Sequence, residues 1–165
     1  ERRAYDGLPR EIFVLGCADW CNVIAETESG ELVLVWQYRF GSDAMSLEIP
    51  GGVIDPNEPP ETAALRELRE ETGYVADSVE LLLVSEPNPA LHGNRLYSFV
   101  ARGARKAAAT SFDELEDLEV ALVRREDLAD LLDSGQIRHA LHTLALERYL
   151  RREGRPAGDA KVGAP

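Results

Sequence analysis

"LEIPGGVIDPNEPPETAALRELREETGYV", residues 47–75, joins an apolar run to an acidic segment and decides how the chain folds. Pro59 and Pro60 suit the first turn of a helix, and Gly73 suits the position just beyond its last turn. The glutamates between them recur at spacings of three and four residues, which bring like charges together on a helix. The stretch therefore predicts an acidic helix that needs a neutralising partner.

The predicted helix has an apolar face and an acidic patch. Leu65 and Leu68 are the expected anchors of the apolar face against a sheet. A solvated helix with ion pairs four residues apart is the default interpretation of such a charge run. The patch of Glu67, Glu70 and Glu71, however, is expected to have no counter-charge of its own on that side. A divalent cation is then the natural neutraliser, and all-oxygen ligands favour Mg²⁺ or Mn²⁺ over zinc.

The turn that leads into the helix supports the same interpretation. Pro50-Gly51-Gly52 stops a predicted strand, and its glycines leave the backbone bare. Such a backbone could offer the carbonyl of Gly51 to a metal ion held by the helix. The strand, the turn and the helix together therefore predict a cation site.

Residues 52–74 resemble the Nudix box, G-x5-E-x7-R-E-U-x-E-E-x-G-U, in which U is an aliphatic residue. Only Tyr74 departs from the pattern, in the last apolar position, which a large ring can fill. The resemblance implies an α/β (α+β) fold, an α/β/α sandwich with a central mixed β-sheet. It also implies an enzyme that uses Mg²⁺ or Mn²⁺ to hydrolyse nucleoside diphosphates linked to another moiety. The matching residues are Gly52, Glu58, Arg66, Glu67, Leu68, Glu70, Glu71 and Gly73.

The resemblance also implies a role for each of these residues. Glu67, Glu71 and the carbonyl of Gly51 would bind the metal. Cations held there would neutralise a diphosphate and align a water for attack at phosphorus, which explains how an acidic protein handles an anionic substrate. The supporting residues would be Glu70, which shares the metal or assists catalysis, Arg66, which orients the carboxylates, Glu58, which braces the loop, and the structural Gly52 and Gly73.

Two segments resemble the ADP-ribose and ADP-sugar pyrophosphatase branch more specifically. "WQYRF" (36–40) followed by "LEIPGG" (47–52) is similar to a Q-x-R strand end that precedes L-E-x-P-A-G. The resemblance implies that Arg39 contacts a substrate phosphate, as a bidentate guanidinium can. A surface arginine at the end of a strand is the alternative.

Pro89 lies sixteen residues beyond Gly73, where that branch has a proline. It opens the loop "PALHGNR" (89–95), which lacks the glutamate that the ADP-ribose hydrolases of the family carry there. His92 is a candidate contact for phosphate or base, and an exposed loop histidine is the alternative. This loop therefore weakens the assignment of ADP-ribose as the substrate.

"DELEDLEV" (113–120) resembles the segment that supplies a general base and a further metal ligand. The resemblance implies that Glu114 is the base and Glu116 the ligand. A base beside cations stays ionised, because nearby positive charge favours the carboxylate. An acidic surface loop is the alternative.

The composition limits which binding partners and which cellular compartment are expected. A net charge of −12 argues against nucleic acid and anionic membranes, because no basic excess is present to release counterions. No apolar run approaches the roughly 20 residues of a membrane span. Cys17 and Cys21 are too few for a disulfide framework and predict reduced thiols in a cytoplasmic protein. His139 and His142 are expected to pack or to be exposed rather than to bind metal.

Residues 1–152 are predicted to form a single domain, followed by a flexible Gly/Pro/Ala-rich tail over 153–165. The apolar content of 11–27 predicts a homodimer through the N-terminal sheet, as is usual in that branch. The expected strands are 11–17, 20–27, 32–40, 45–50, 78–86, 95–104 and a strand from 118, and the remaining helices are near 125–135 and over roughly 137–152.

The predicted function is Mg²⁺-dependent hydrolysis of the diphosphate bond in a small molecule of the ADP-ribose or ADP-sugar type, with release of a nucleoside monophosphate. One alternative is hydrolysis of nucleoside di- or triphosphates or of dinucleoside polyphosphates. Another is a Nudix domain that senses nucleotides without catalysis. Lost box carboxylates would mark that last class, and Glu67, Glu70 and Glu71 are all present.

Overall fold

The structure is a computed structural model that describes residues 2–3, 9–107 and 118–154, with the backbone alone at 2–3 and 9–10. From residue 155 onward, the predicted tail lies outside the described residues. The strands are β1 (Arg2–Arg3), β2 (Pro9–Arg10), β3 (Trp20–Thr27), β4 (Glu31–Arg39), β5 (Ala44–Glu48), β6 (Gly51–Val53), β7 (Tyr74–Val75), β8 (Glu80–Ser85), β9 (Leu96–Lys106) and β10 (Leu118–Arg124). The helices are α1 (Pro60–Thr72), α2 (Leu128–Asp133), which follows a 3₁₀ turn at Arg125–Asp127, and α3 (Ala140–Glu153).

Within the described part of the chain, eight strands form one sheet in which β10, β4, β3, β9 and β7 are neighbours in that order. β3 and β9 are parallel, whereas β4 pairs antiparallel with both β3 and β10. β5 pairs with the second half of β4, β6 pairs with the start of β3, and β8 pairs with β9. The sheet is therefore mixed, and it brings β6 against the first residues of β3.

Helices cover both faces of this sheet because side chains alternate along its central strand β3. Val23 and Ala25 belong to the hydrophobic cluster that packs against α1, whereas Ile24 belongs to the cluster that packs against α2 and α3. Leu68 of α1 and Leu146 of α3 are fully buried in these two clusters. The predicted α/β/α sandwich with a central mixed sheet is confirmed.

Most predicted elements are present, but the strand expected at 11–17 is wrong. In this segment Leu15 alone forms a β-bridge, to His92, and Ile12 and Phe13 are exposed. Apolar residues form a strand only where a partner strand accepts their hydrogen bonds. Here the described partners of Leu15 are residues 91 and 93 of a loop, so no ladder extends.

Two smaller expectations also need correction. Leu65 is only partly buried, because α1 places Ala63, Ala64 and Leu68 against the sheet. The residues after Pro50 form the short strand β6 rather than only a turn, with Gly51 opposite Asn22 of β3. No helix among the described residues is both long and apolar enough to cross a membrane.

Candidate active site

Helix α1 begins and ends where its sequence predicts. Pro59 is the N-cap in extended conformation and Pro60 opens the first turn, where a missing backbone N–H costs nothing. Gly73 ends the helix at a φ of 68°, and its N–H binds the carbonyl of Arg69 at 2.8 Å. Leu68, on the face of α1 that packs against the sheet, is fully buried. This contact fixes the rotation of the helix and therefore where its acidic side chains lie.

Arg66 organises the acidic side of α1. One terminal nitrogen of its guanidinium donates to Oε1 of Glu67 at 2.8 Å and to Oε2 of Glu70 at 3.1 Å. Arg66 therefore holds Glu70, which lies four residues later on the same helix. The expectation that the patch has no counter-charge of its own is wrong, because the long arginine side chain folds back across the helix to reach both carboxylates.

The same guanidinium fastens the loop between β6 and α1. Its Nε and its other terminal nitrogen bind the two oxygens of Glu58 at 3.0 Å each, and the latter nitrogen also binds the carbonyl of Val53. Glu58 in turn accepts the N–H of Asp55 at 3.1 Å. The hydrogen bonds from Arg66 lower the pKa of Glu58 and, reciprocally, raise the pKa of Arg66. Glu58 thus braces the loop.

Glu71 connects the helix to β6. Its side chain is largely buried, with the residue 4% exposed, and Oε2 accepts the N–H of Gly51 at 2.9 Å. A carboxylate buried to this degree needs such partners, because an unpaired buried polar group destabilises the fold. Glu71 is thereby held beside the backbone of Gly51. The resemblance assigns both the Glu71 carboxylate and the Gly51 carbonyl to metal binding.

Glu67 occupies the space that a side chain at position 52 would fill. A Cβ atom added to Gly52 would lie 2.5 Å from Oε1 of Glu67, so only glycine lets this carboxylate approach the strand. Glu67, Glu70 and Glu71 present an all-oxygen set of donors beside bare backbone, which fits a hard divalent cation. The residues present therefore suit the metal that the Nudix box implies.

Arg39 is held by a partner that sequence reasoning left unassigned. Its Nε and one terminal nitrogen donate to the two oxygens of Glu48 at 2.9 and 2.6 Å. The Glu48 side chain is only 1% exposed and that of Arg39 is 40% exposed. Burial opposes ionisation of Glu48, but the hydrogen bonds from Arg39 and Ser46 and the charges of Arg39 and His142 together outweigh burial and lower the pKa of Glu48 to about 2. Glu48 thus fixes the plane of a guanidinium that reaches the surface.

Two histidines complete the surroundings of Glu48. His142 accepts the N–H of Ile49 at Nδ1 (3.0 Å), and its Nε2 lies 3.2 Å from a Glu48 oxygen. His139 packs edge-on against His142, with ring centroids 4.5 Å apart. Potential ligand atoms of the two histidines and Glu48 lie within 4.8 Å of one another. Arg39 already engages both Glu48 oxygens and would repel a cation, so we interpret the group as a support for Arg39.

Acidification is expected to destabilise the protein through His142. Burial lowers the pKa of His142 from 6.5 to about 3. Between about pH 3 and pH 6.5, His142 is therefore protonated in the unfolded chain but neutral in the folded protein. The free energy of unfolding should fall with pH in this window by up to about 1.4 kcal/mol per pH unit. Glu48 adds to the loss below its unfolded pKa of about 4.5.

Urea unfolding at pH 6.5, 5.5 and 5.0 measures this effect, with His142→Asn as the comparison. The asparagine can still accept the N–H of Ile49 but does not titrate, so the slope above pH 5 should decrease. Other titrating groups are common to both proteins. Equal slopes in the two proteins would show that His142 does not carry the effect.

A cavity of about 310 Å³ lies between β6, the start of β3 and the beginning of α3. Arg39 lines this cavity, and so do Gly51 and Gly52. Because Glu71 and Glu67 lie beside these two glycines, the cavity is adjacent to the carboxylates of α1. Its lining residues are Trp20, Cys21, Asn22, Arg39, Gly51, Gly52, Val53, Leu96, His139, Leu141 and His142. Burial raises the pKa of the Cys21 thiol to about 12, so this thiol is not a nucleophile near neutral pH.

The remaining predicted residues lie outside this cavity or outside the described part of the chain. His92 is partly buried and packs edge-on against Trp20, with ring centroids 6.1 Å apart. Pro89 is exposed in the same loop. Their contacts with substrate remain predictions. Glu114 and Glu116, the candidate base and additional ligand, fall within 108–117, which lie outside the described residues.

Comparisons with known proteins agree with this fold and site. The NUDIX domain model matches residues 20–144. The methanol dehydrogenase activator of Bacillus methanolicus is 38% identical over 130 residues, which cover 78% of this chain and 70% of that protein. The ADP-ribose pyrophosphatase of Bacillus subtilis (strain 168) is 32% identical over 130 residues, with the same coverage.

A solved structure gives the same result. The crystal structure of an ADP compounds hydrolase superposes with a TM-score of 0.74 at 26% identity, covering 84% of this chain and 75% of that one. The chain therefore belongs to the NUDIX family and is a Nudix pyrophosphohydrolase related to the ADP-ribose pyrophosphatases.

Proposed function

We propose that this protein uses Mg²⁺ or Mn²⁺ to hydrolyse the diphosphate bond of a nucleoside diphosphate linked to a sugar, ADP-ribose or an ADP-sugar, and releases a nucleoside monophosphate. Two observations carry the proposal: Arg39 lines one cavity with Gly51 and Gly52, and the carboxylates of Glu67 and Glu71 lie against these same two glycines. The names of two relatives, an ADP-ribose pyrophosphatase and an ADP compounds hydrolase, support the ADP-linked class.

The carboxylates of α1 would hold the metal, with Glu67 and Glu71 as the principal ligands and the carbonyl of Gly51 beside them. Bound divalent cations neutralise the diphosphate and lower the pKa of a coordinated water. Arg66 keeps Glu67 and Glu70 oriented, so little reorganisation is needed when substrate arrives.

Arg39 would bind a phosphate oxygen of the substrate. Its bidentate pairing with Glu48 fixes the guanidinium before any ligand binds. Glu114 remains our candidate for the general base and Glu116 for a further ligand, both on the grounds of the segment "DELEDLEV". His92 is a candidate contact at the edge of the substrate site.

A panel of substrates tests the proposal against its rivals. ADP-ribose, ADP-glucose, GDP-mannose, NADH, CDP and diadenosine tetraphosphate are incubated with the protein and Mg²⁺ or Mn²⁺, and the nucleotide products are separated by chromatography. We expect AMP from ADP-ribose or ADP-glucose. Preference for CDP or diadenosine tetraphosphate would favour the hydrolase of nucleoside polyphosphates, and binding without product would favour a sensing module.

We further propose a cytoplasmic homodimer with no nucleic-acid or membrane partner. The apolar residues 12–15 precede β3 by a few residues and are exposed, Phe13 by 88%, and two copies of the chain could cover them together. Both cysteines are free thiols, which suits a reducing compartment. Light scattering checks the assembly, and a particle of 18.2 kDa would contradict the dimer.

A further inference from the structure

The cavity beside the candidate active site is lined by a buried amide that no described residue satisfies. Asn22 is 1% exposed, and neither its Oδ1 nor its Nδ2 has a hydrogen-bond partner among the described residues. Buried polar groups nearly always have such partners, because leaving one unpaired destabilises the fold. The amide of Asn22 is therefore a candidate to hydrogen-bond a ligand.

The strand geometry directs Asn22 into the cavity. Cys21 and Val23 belong to the cluster under α1, so the alternation along β3 turns Asn22 to the opposite face. That face carries His139 and His142, which line the cavity together with Asn22. Nδ1 of His139 is a second buried polar atom there without a described partner.

The register of the strands places Asn22 beside the candidate metal cradle. Asn22 is directly opposite Gly51 in the β3–β6 pair, and the N–H of Gly51 binds Glu71. We therefore expect the part of the substrate that lies nearest the diphosphate to be the part that reaches Asn22. In a nucleotide the pentose lies between the phosphate and the base. The hydroxyl groups of the pentose are therefore nearer to the diphosphate than the base is.

We propose that Asn22 is a specificity residue that hydrogen-bonds the hydroxyl groups of a pentose attached to the diphosphate, a role that rests on the proposed function. The amide offers one donor group and one acceptor, and a pair of vicinal hydroxyls both donates and accepts. Trp20, Leu96 and Leu141 supply apolar walls of the same cavity, as is usual where a few polar groups orient a ligand. The pentose is either the terminal ribose or the ribose of the nucleoside.

The test compares three substrates that share the base and the diphosphate. They are ADP-ribose, ADP methyl ester, which lacks the terminal ribose, and the 2′,3′-dideoxyadenosine analogue of ADP-ribose, which lacks the nucleoside hydroxyls. Asn22→Leu removes the amide and keeps the branched shape of the side chain. We expect kcat/KM for ADP-ribose to fall at least about tenfold, as when a hydrogen bond to substrate is lost.

The selectivity of the loss identifies the pentose. An effect that disappears with ADP methyl ester assigns Asn22 to the terminal ribose, and one that disappears with the dideoxy analogue assigns it to the nucleoside ribose. A loss of equal size with all three substrates, or no loss with any, overturns the inference. Failure of the unaltered protein to hydrolyse any of the three contradicts the proposed function itself, which makes the two failures distinguishable.

Asn94→Leu is the matched control. Asn94 is also buried (3% exposed), and its Oδ1 likewise has no described partner, but its Nδ2 donates to the carbonyl of Ala18 at 3.0 Å, so its replacement should lower the melting temperature without discriminating among substrates. Asn22→Leu should leave the melting temperature unchanged or raise it, because no described protein partner is lost. Asn22→Ala provides a second, smaller replacement. A lower melting temperature in both Asn22 variants would show a structural role and overturn the inference.

Discussion

Replacing Glu71 with glutamine is expected to abolish hydrolysis while leaving the protein folded. Glutamine keeps one oxygen that can accept the N–H of Gly51, now bound by Oε2 of Glu71 at 2.9 Å. It removes the negative charge that a divalent cation requires at this position. We expect kcat to fall on the order of a thousandfold, in line with the loss of a principal electrostatic group in other active sites. Steady-state kinetics with ADP-ribose and circular dichroism measure the two effects.

Glu61→Gln is the control for this substitution. Glu61 lies in the first turn of the same helix and is exposed, so removal of its charge should leave kcat within about twofold. Activity retained in Glu71→Gln would mean that the α1 carboxylates do not hold the catalytic metal. An unfolded Glu71→Gln protein would show instead that the charge of Glu71 is needed for folding.

Replacing Gly51 with alanine is expected to have the largest effect on stability. The added Cβ would lie 2.3 Å from the carbonyl oxygen of Cys21 and 2.7 Å from Cα of Asn22. Both are backbone atoms of β3, so β6 must move away from that strand and the N–H bound to Glu71 moves with it. We expect the free energy of unfolding to fall by about 2–3 kcal/mol and the melting temperature by roughly 5–10 °C.

Activity should fall together with stability in Gly51→Ala, even at temperatures where the variant is folded. Gly41→Ala is the control, because a Cβ at Gly41 would meet no atom within 4 Å. Calorimetry and kinetics at 20 °C separate the two effects. A Gly51→Ala protein with an unchanged melting temperature would contradict the close approach of β6 and β3.

The sequence predicts the helix and its acidic side because these depend on local chemistry. Pro59 and Gly73 mark the ends of α1 through their own backbone preferences. The spacing from Arg66 to Glu70 brings the two side chains together wherever a helix forms. Strands β3 and β4 are predicted nearly to the residue, because long apolar runs bounded by turn residues favour buried strands.

The residues that the sequence did not predict depend on contacts between distant segments. Ile49 and His142 are 93 positions apart, yet they share a hydrogen bond beside Glu48. Asn22, whose side-chain amide has no partner among the described residues, becomes informative only once the register sets it opposite Gly51. The strand expected at 11–17 failed for the same reason, since apolar pattern alone does not supply a partner strand.

One measurement tests the central claim most directly: hydrolysis of ADP-ribose by the purified protein, before and after removal of divalent cations with a chelator. The placement of Glu67, Glu70 and Glu71 around Arg66 predicts AMP and ribose 5-phosphate with Mg²⁺ or Mn²⁺, none after chelation, and recovery when the cation is restored. Equal hydrolysis with and without divalent cations would contradict the account, and so would a folded protein that releases no AMP under either condition.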